Sequence, residues 1–172
     1  SGTLISFEED THMEQATITG IAFSRDEAKI TVRGVPDKPG IAFQILGPVA
    51  DANIEVDMIV QNISVDGKTD FTFTVPRADY DKSLKLIDNG VKVSLGATHV
   101  VGDNKVSKVS VVGVGMRSHV GIASQMFRTL SEEGINIQMI STSEIKISVL
   151  IDEKYTELAV RALHKAFGLE NG

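Results

Sequence analysis

The sequence predicts an α+β protein made of two βαββαβ modules in tandem, the first inserted in the second. Three observations carry this. Laying Gly40 on Gly121 matches Ile41 to Ile122, Ala42 to Ala123, Gln44 to Gln125, Ile54 to Ile135, Met58 to Met139 and Ile59 to Ile140 without a gap. Upstream, Lys29, Val32, Gly34 and Val35 match Lys108, Val111, Gly113 and Val114 once the second loop takes two extra residues. The hydrophobic period also switches between two and about 3.6 in the same order in both halves. Finally, the second half is one strand short while the N-terminus has one too many, so the N-terminal strand is expected to complete the second module.

In order, residues 1–15 carry Glu8, Glu9 and Asp10 without periodicity and read as a linker. Ala16 to Ser24 is rich in Thr, Ile and Phe and reads as a strand ended by the polar turn Arg25, Asp26, Glu27. Module one is expected over 28–102 and module two over 16–24 plus 103–169. Ile30, Val32 and Val35 mark the next strand, broken by Asp37, Lys38, Pro39, Gly40. Pro suits a first helical position and Asp before it can cap free N–H groups. Ile41, Ile45 and Val49 then repeat every four residues to about Asn53, a buried helical stripe.

Ile54, Val56, Met58 and Val60 alternate with polar residues as a half-buried strand does. Asp66-Gly67 supplies a turn, and Phe71, Phe73 and Val75 form the next strand, stopped by Pro76. A helix from about Asp79 to Asn89 is expected to end at Gly90, with a short strand at Ala97 to Val101. The second copy predicts a strand at Val106 to Val114 and a helix at Val120 to Glu133. Strands at Ile135 to Thr142 and Glu144 to Ile151 and a helix at Glu153 to Phe167 complete it.

Composition narrows the function. The 172 residues are 42% hydrophobic, with no apolar run long enough to span a bilayer and no signal-peptide pattern, so a soluble chain is expected. A net charge of -6 and no basic stripe argue against nucleic acid. Without cysteine there is no disulfide frame, thiol nucleophile or thiolate metal site. His12, His99, His119 and His164 lack zinc-ligand spacing. Gly113, Val114, Gly115 opens like a dinucleotide fingerprint but lacks its third glycine, and neither a phosphate loop nor a GxSxG turn is present. Glu55 and Asp57 share one strand face, a solvated face rather than a catalytic pair. No catalytic set emerges.

What repeats is the loop before the first helix of each module. A lone glycine there is ordinary turn chemistry, but repetition of the whole loop favours a site. Gly40 and Gly121 would let a ligand approach a helix N-terminus whose free N–H groups receive a carboxylate. By topology Gln61 and Asn62, and their counterparts Thr142, Ser143 and Glu144, offer acceptors for an ammonium or a hydroxyl. An amino acid suits such a site.

These residues resemble a family. Gly34 to Gly40 (GVPDKPG), Ile54 to Asn62 (IEVDMIVQN), Asn136 to Ile147 (NIQMISTSEIKI) and Ala159 to Phe167 (AVRALHKAF) closely resemble the tandem ACT domains of aspartate kinase, over residues 1–169. The match is either to its small β subunit or to the regulatory region of its longer chain. The resemblance implies two ferredoxin-like domains that sense threonine and lysine and inhibit the kinase phosphorylating aspartate at the head of their biosynthesis, in the cytoplasm. ATP and magnesium would belong to an upstream catalytic domain, whose KFGGTS-like motif is missing here. Ser1 to Ile5 resembles the junction after that domain, and Met13 stands where a separate β subunit could start.

By position, the resemblance assigns one effector site to Asp37, Lys38, Pro39, Gly40, Ile41, Ala42, Glu55, Asp57 and Gln61, with Asn136 and Ile137 of the second module. A second set is Ile122, Ala123, Ser143 and Glu144. Such sites form where the first module of one chain meets the second of another, so a homodimer, or a heteromer with the catalytic subunit, is expected. Small modules with open strand edges need covering in any case. The second loop departs from the pattern: Met116, Arg117, Ser118, His119, Val120 replaces DKP, and Ala123 lacks a hydroxyl, which points to a different ligand or none there.

Overall fold

A computed structural model describes residues 18–63, 66–113 and 119–169. The chain divides into two compact units: Arg25–Val106, and the described residues of Ser1–Ser24 together with Ser107–Gly172.

The Arg25–Val106 unit contains residues 25–36 of β1 (Ile18–Pro36), α1 (Ile41–Asp51), β2 (Ile59–Ile63) and β3 (Lys68–Val75). Then come α2 (Tyr80–Leu86), α3 (Lys92–Leu95) and residues 99–106 of β4 (His99–Gly113). The strands order as β2-β3-β1-β4, with β3 antiparallel to both β1 and β2. Ile30, Val32 and Val35 of β1 and Phe71, Phe73 and Val75 of β3 form a core with Ile41, Ile45 and Val49 of α1. Each such side chain contributes about 1.5 to 3 kcal/mol by leaving water. The rings of Phe71 and Phe73, two apart on one strand and hence on one face, sit 6.2 Å apart.

Helix α1 ends as its sequence suggests. Asn53 adopts a left-handed φ of 62°, and Ile54 N–H returns to the Val49 carbonyl at 3.2 Å. Its start differs from expectation. The residue preceding the helix is Gly40 at φ 89°, so Pro39 lies outside the helix. The Asp37 side chain caps no helix N–H among the described residues, because the left-handed turn at Gly40 already aims the chain into the helix.

Other boundaries also shift. Strand β1 runs unbroken through Arg25, Asp26 and Glu27, where a turn is expected from polarity. Arg77 fills the need these residues create: its N–H donates to Asp26 Oδ1 (2.9 Å), and its guanidinium to the carbonyls of Glu27 (3.3 Å) and Val106 (2.7 Å). The helix expected to stop at Gly90 continues through a π-helical turn, Ile87–Val91, into α3. That turn keeps both Ile87 and Val91 buried. Gly96, at φ 68°, ends α3, with Ala97 N–H on the Lys92 carbonyl at 3.1 Å. The ladder of β2 starts at Ile59 rather than Ile54, because Met58 N–H goes to the Thr74 hydroxyl (3.0 Å) instead of a carbonyl.

The other unit contains residues 18–24 of β1, residues 107–113 of β4, α4 (His119–Glu132), β5 (Met139–Thr142), β6 (Lys146–Asp152) and α5 (Thr156–Ala166). Its strands order as β1-β4-β6-β5. Thr19 Oγ1 donates to the Val112 carbonyl (3.1 Å) and Ser107 Oγ to that of Ser24 (3.2 Å). Ile18 and Ile21 pack on the core of Val109, Val111, Met126, Leu130, Val149 and Leu163. Helix α4 ends as α1 does, with Gly134 left-handed (φ 71°) and Ile135 N–H on the Leu130 carbonyl at 2.9 Å.

Candidate functional site

The loop Asp37–Gly40 leaves the end of β1, and α1 begins directly after it. Asp37, Lys38, Pro39, Gly40 and Ala42 are exposed, while Ile41 points into the core at 2% exposure. Three main-chain bonds shape the loop: Asp37 N–H donates to the Gly67 carbonyl at 2.9 Å, Lys38 N–H to that of Pro36 at 3.1 Å, and Ile41 N–H to that of Lys38 at 3.3 Å. The first helical bond is Gln44 N–H to the Gly40 carbonyl at 3.0 Å. In the first turn of α1 the N–H groups of Ala42 and Phe43 therefore have no partner among the described residues, at the positive end of the helix.

Register places the neighbouring strand. Thr69 of β3 pairs with Val35 on one side and Ile63 on the other, and Phe71 pairs with Val32 and with Gln61. Ile63 and Gln61 thus lie two strand spacings, about 10 Å, across the sheet from the end of β1. Cross-strand partners share a face, so Gln61 stands on the helix-bearing side with Phe71. As the outer strand of its unit, β2 shows Ile59, Gln61 and Ile63 exposed, Ile63 at 86%. Thr69 Oγ1 donates to the Asn62 carbonyl, fixing that edge.

Loop, helix start and Gln61 therefore lie toward the same end of the sheet. Glu55 and Asp57 do not. Both are exposed, but Asp57 N–H binds the Thr74 carbonyl at 3.1 Å. Thr74 lies toward the far end of β3, about 17 Å from the loop row at Thr69. Within one module these two carboxylates are at the opposite end, because β2 begins where α1 finishes.

In the other unit, Ile122 and Ala123 sit half-buried in the first turn of α4, while Ser143 and Glu144 are exposed in the β5–β6 turn. Ser143 N–H donates to the Lys146 carbonyl (2.8 Å) and its Oγ accepts from Lys146 N–H (3.2 Å). Gly113 N–H, at the end of β4, donates to the Ile145 carbonyl at 2.7 Å, so the turn and the strand feeding α4 share one end. Met116, Arg117 and Ser118 lie outside the described residues; Val120 is exposed on α4. Asn136 (exposed) and Ile137 (half-buried) lie in the α4–β5 connection, at the end opposite the α4 start.

Gly67 is the site residue that sequence reasoning misses. Asp66-Gly67 signals a turn, but nothing in its composition says that the Gly67 carbonyl receives Asp37 N–H. The arrangement offers two free N–H donors for a carboxylate, an exposed carboxylate at Asp37 for a cation, and an amide at Gln61. It offers no nucleophile with an adjacent base.

The ACT domain family matches residues 30–89 and again 109–167. An aspartate kinase of Pseudomonas fluorescens (strain SBW25) is 66% identical over 169 residues, 98% of this chain and 41% of that protein. The chain thus spans about two fifths of the length of the curated relatives it matches. Among solved structures, a chain of the crystal structure of aspartokinase α and β subunits is 67% identical, with a TM-score of 0.83 and coverage of 88% of this chain and 99% of that one. The regulatory subunit of aspartate kinase from Thermus thermophilus, in ligand-free form, is 37% identical at a TM-score of 0.82, with the same coverage.

Proposed function

Because this chain belongs to the ACT-domain family, as a regulatory region of the aspartate kinases, we propose that it senses end-product amino acids, threonine or lysine or both. By this reading their binding feedback-inhibits the phosphorylation of aspartate. The observation that carries the proposal is the loop-to-helix start of the first module, where the free N–H groups of Ala42 and Phe43 and the exposed Asp37 lie toward the same end of the sheet as Gln61 on the outer strand.

A zwitterionic amino acid matches that set. Its carboxylate takes the two N–H groups, its ammonium lies near Asp37, and Gln61 addresses the side chain. Inhibition then requires the ligand to bind the inactive state of the kinase more tightly than the active one, since equal affinity shifts nothing. The kinase active site, with ATP and magnesium, belongs by this reading to a separate catalytic part. The regulatory chain acts in the cytoplasm beside it and pairs with a second copy of itself through its modules.

Joined to that catalytic part, the chain is expected to confer inhibition by threonine, lysine or the two together. A kinase equally active with and without them contradicts the proposal. A second reading, an ACT scaffold that joins kinase subunits without binding an effector, is favoured by the exposed Ile59, Ile63 and Ile140 on the outer strands β2 and β5. Sedimentation separates the two: the scaffold reading expects dimers whose stability threonine and lysine leave unchanged.

A further inference from the structure

Just before the effector loop, β1 carries a bulge. Ala28, Ile30 and Val32 face the core, and so does Val35, all at 0% exposure. A period of two would turn Val35 to the opposite face. It does not, because Arg33 and Gly34 together stand opposite the single residue Asp70 of β3, between the pairs Val32↔Phe71 and Val35↔Thr69. Such an extra residue bends a strand and re-aims the segment beyond it.

The bulge is held from both sides. Gly34, at φ 70°, donates its N–H to Asp70 Oδ1 at 3.1 Å. The Arg33 carbonyl accepts from Thr98 N–H at 2.9 Å and from Thr98 Oγ1 at 3.2 Å. A Cβ at position 34 would lie 2.6 Å from Thr98 Oγ1, so the hydroxyl occupies the space that only glycine leaves.

In the second module the described end of the matching strand is held differently. Val109, Val111 and Gly113 are buried, Gly113 N–H bonds the Ile145 main-chain carbonyl where Gly34 N–H bonds a side chain, and Val114, the counterpart of Val35, lies outside the described residues. Gln61 faces Phe71 as Thr142 faces Ile147, so the residue at the register position of Asp70 is Lys146.

We propose that Asp70 and Thr98 are positioning residues for the effector loop of the first module. By holding the Arg33–Gly34 bulge they fix the direction in which Asp37–Ala42 leaves the sheet, so that the free N–H groups and Asp37 meet the ligand without further ordering. A pre-ordered loop saves the ligand the entropy of fixing it. This deepens the effector reading above and rests on it.

The test is titration calorimetry of the whole chain with threonine and with lysine, beside denaturant unfolding. Asp70→Ala and Thr98→Val are each expected to weaken the binding step that Asp37→Asn also weakens, by about 10-fold, the scale of one lost hydrogen bond. Thr98→Ser, which keeps the hydroxyl, is expected to restore it. Ile45→Val, a core change that removes no hydrogen bond of the bulge, is expected to lower stability and leave affinity alone. If Asp70→Ala does not fold, Asp70→Asn serves in its place with a loss of about 3-fold, because the amide oxygen still accepts a weaker, uncharged bond. Parent-like affinity in the Asp70 and Thr98→Val variants overturns the proposal, as does an equal loss in Ile45→Val. If the parent itself binds neither amino acid, the effector reading fails instead.

Discussion

The N–H of Asp37 donates to the carbonyl of Gly67 at 2.9 Å, so the loop before α1 is tied to the β2–β3 turn through main chain alone. Holding the loop makes no demand on the Asp37 carboxylate. Among the described residues that carboxylate has no hydrogen-bond partner, and the residue is exposed. A side chain that position does not need for structure is available for a ligand.

Asp37→Asn is therefore expected to keep fold and stability while removing a charge-assisted hydrogen bond to the ligand ammonium. Such a bond is worth roughly 1.5 to 3 kcal/mol, or roughly 10- to 100-fold in affinity. Gln61→Ala removes a neutral bond and is expected to cost about 0.5 to 1.5 kcal/mol. In the joined kinase both changes are expected to relieve inhibition and spare uninhibited turnover. Basal activity falling as far as inhibition does contradicts this.

The sequence shows the repeat, the buried stripe of α1 and the glycine before the helix plainly, because those depend on local periodicity. It does not show the bulge. Val32 and Val35 both read as core residues, yet their odd spacing gains meaning only when Asp70 and Thr98, far along the chain, are seen to hold Gly34. Gly90 misleads for a related reason: it resembles a helix end, but burying Ile87 and Val91 on the same side outweighs its poor helix propensity. Polarity at Arg25–Glu27 misleads because Arg77, from another segment, supplies the partners. The candidate site divides the same way. Asp37–Ala42 and Gln61 lie toward one end of the sheet, whereas Glu55 and Asp57 lie toward the other.

Ser83 on α2 is fully buried, and its Oγ has no hydrogen-bond partner among the described residues. An unsatisfied buried hydroxyl costs about 1 to 3 kcal/mol. Ser83→Ala deletes it without adding volume and is expected to raise stability by about 1 kcal/mol. A higher urea midpoint at unchanged slope checks this; a lower midpoint shows that the hydroxyl has a partner.

Tyr80 packs so closely on β4 that a Cβ at Gly102 would lie 2.3 Å from its hydroxyl. Burial raises its pKa, with Asp103 and Asp81 adding to the rise. A folded pKa above the unfolded one means that the stabilisation from the protonated phenol is complete below the ordinary tyrosine range and is lost as pH rises through the folded value. Tyr80→Phe is expected to flatten the loss of stability in strong alkali and to remove a tyrosinate absorbance step that lies above the ordinary tyrosine range. A titration unchanged by the substitution contradicts the assignment.

Residues 18–24 pair and pack with the unit of α4 and α5. We propose on this basis that the first module, 28–102, is inserted in a second made of 16–24 plus 103–169. Deleting 16–24 is then expected to expose a ladder edge and lower amide protection over 106–167, leaving 29–101 protected. The reverse pattern contradicts the insertion.

Whether the Asp37–Ala42 loop of the first module receives an amino acid is tested most directly by titration calorimetry of the chain with threonine and with lysine, separately and together, repeated on Asp37→Asn. Saturable binding of at least one amino acid, weakened roughly 10- to 100-fold by the substitution, is the expected result. No saturable binding of either, or binding as tight in Asp37→Asn as in the parent, contradicts it.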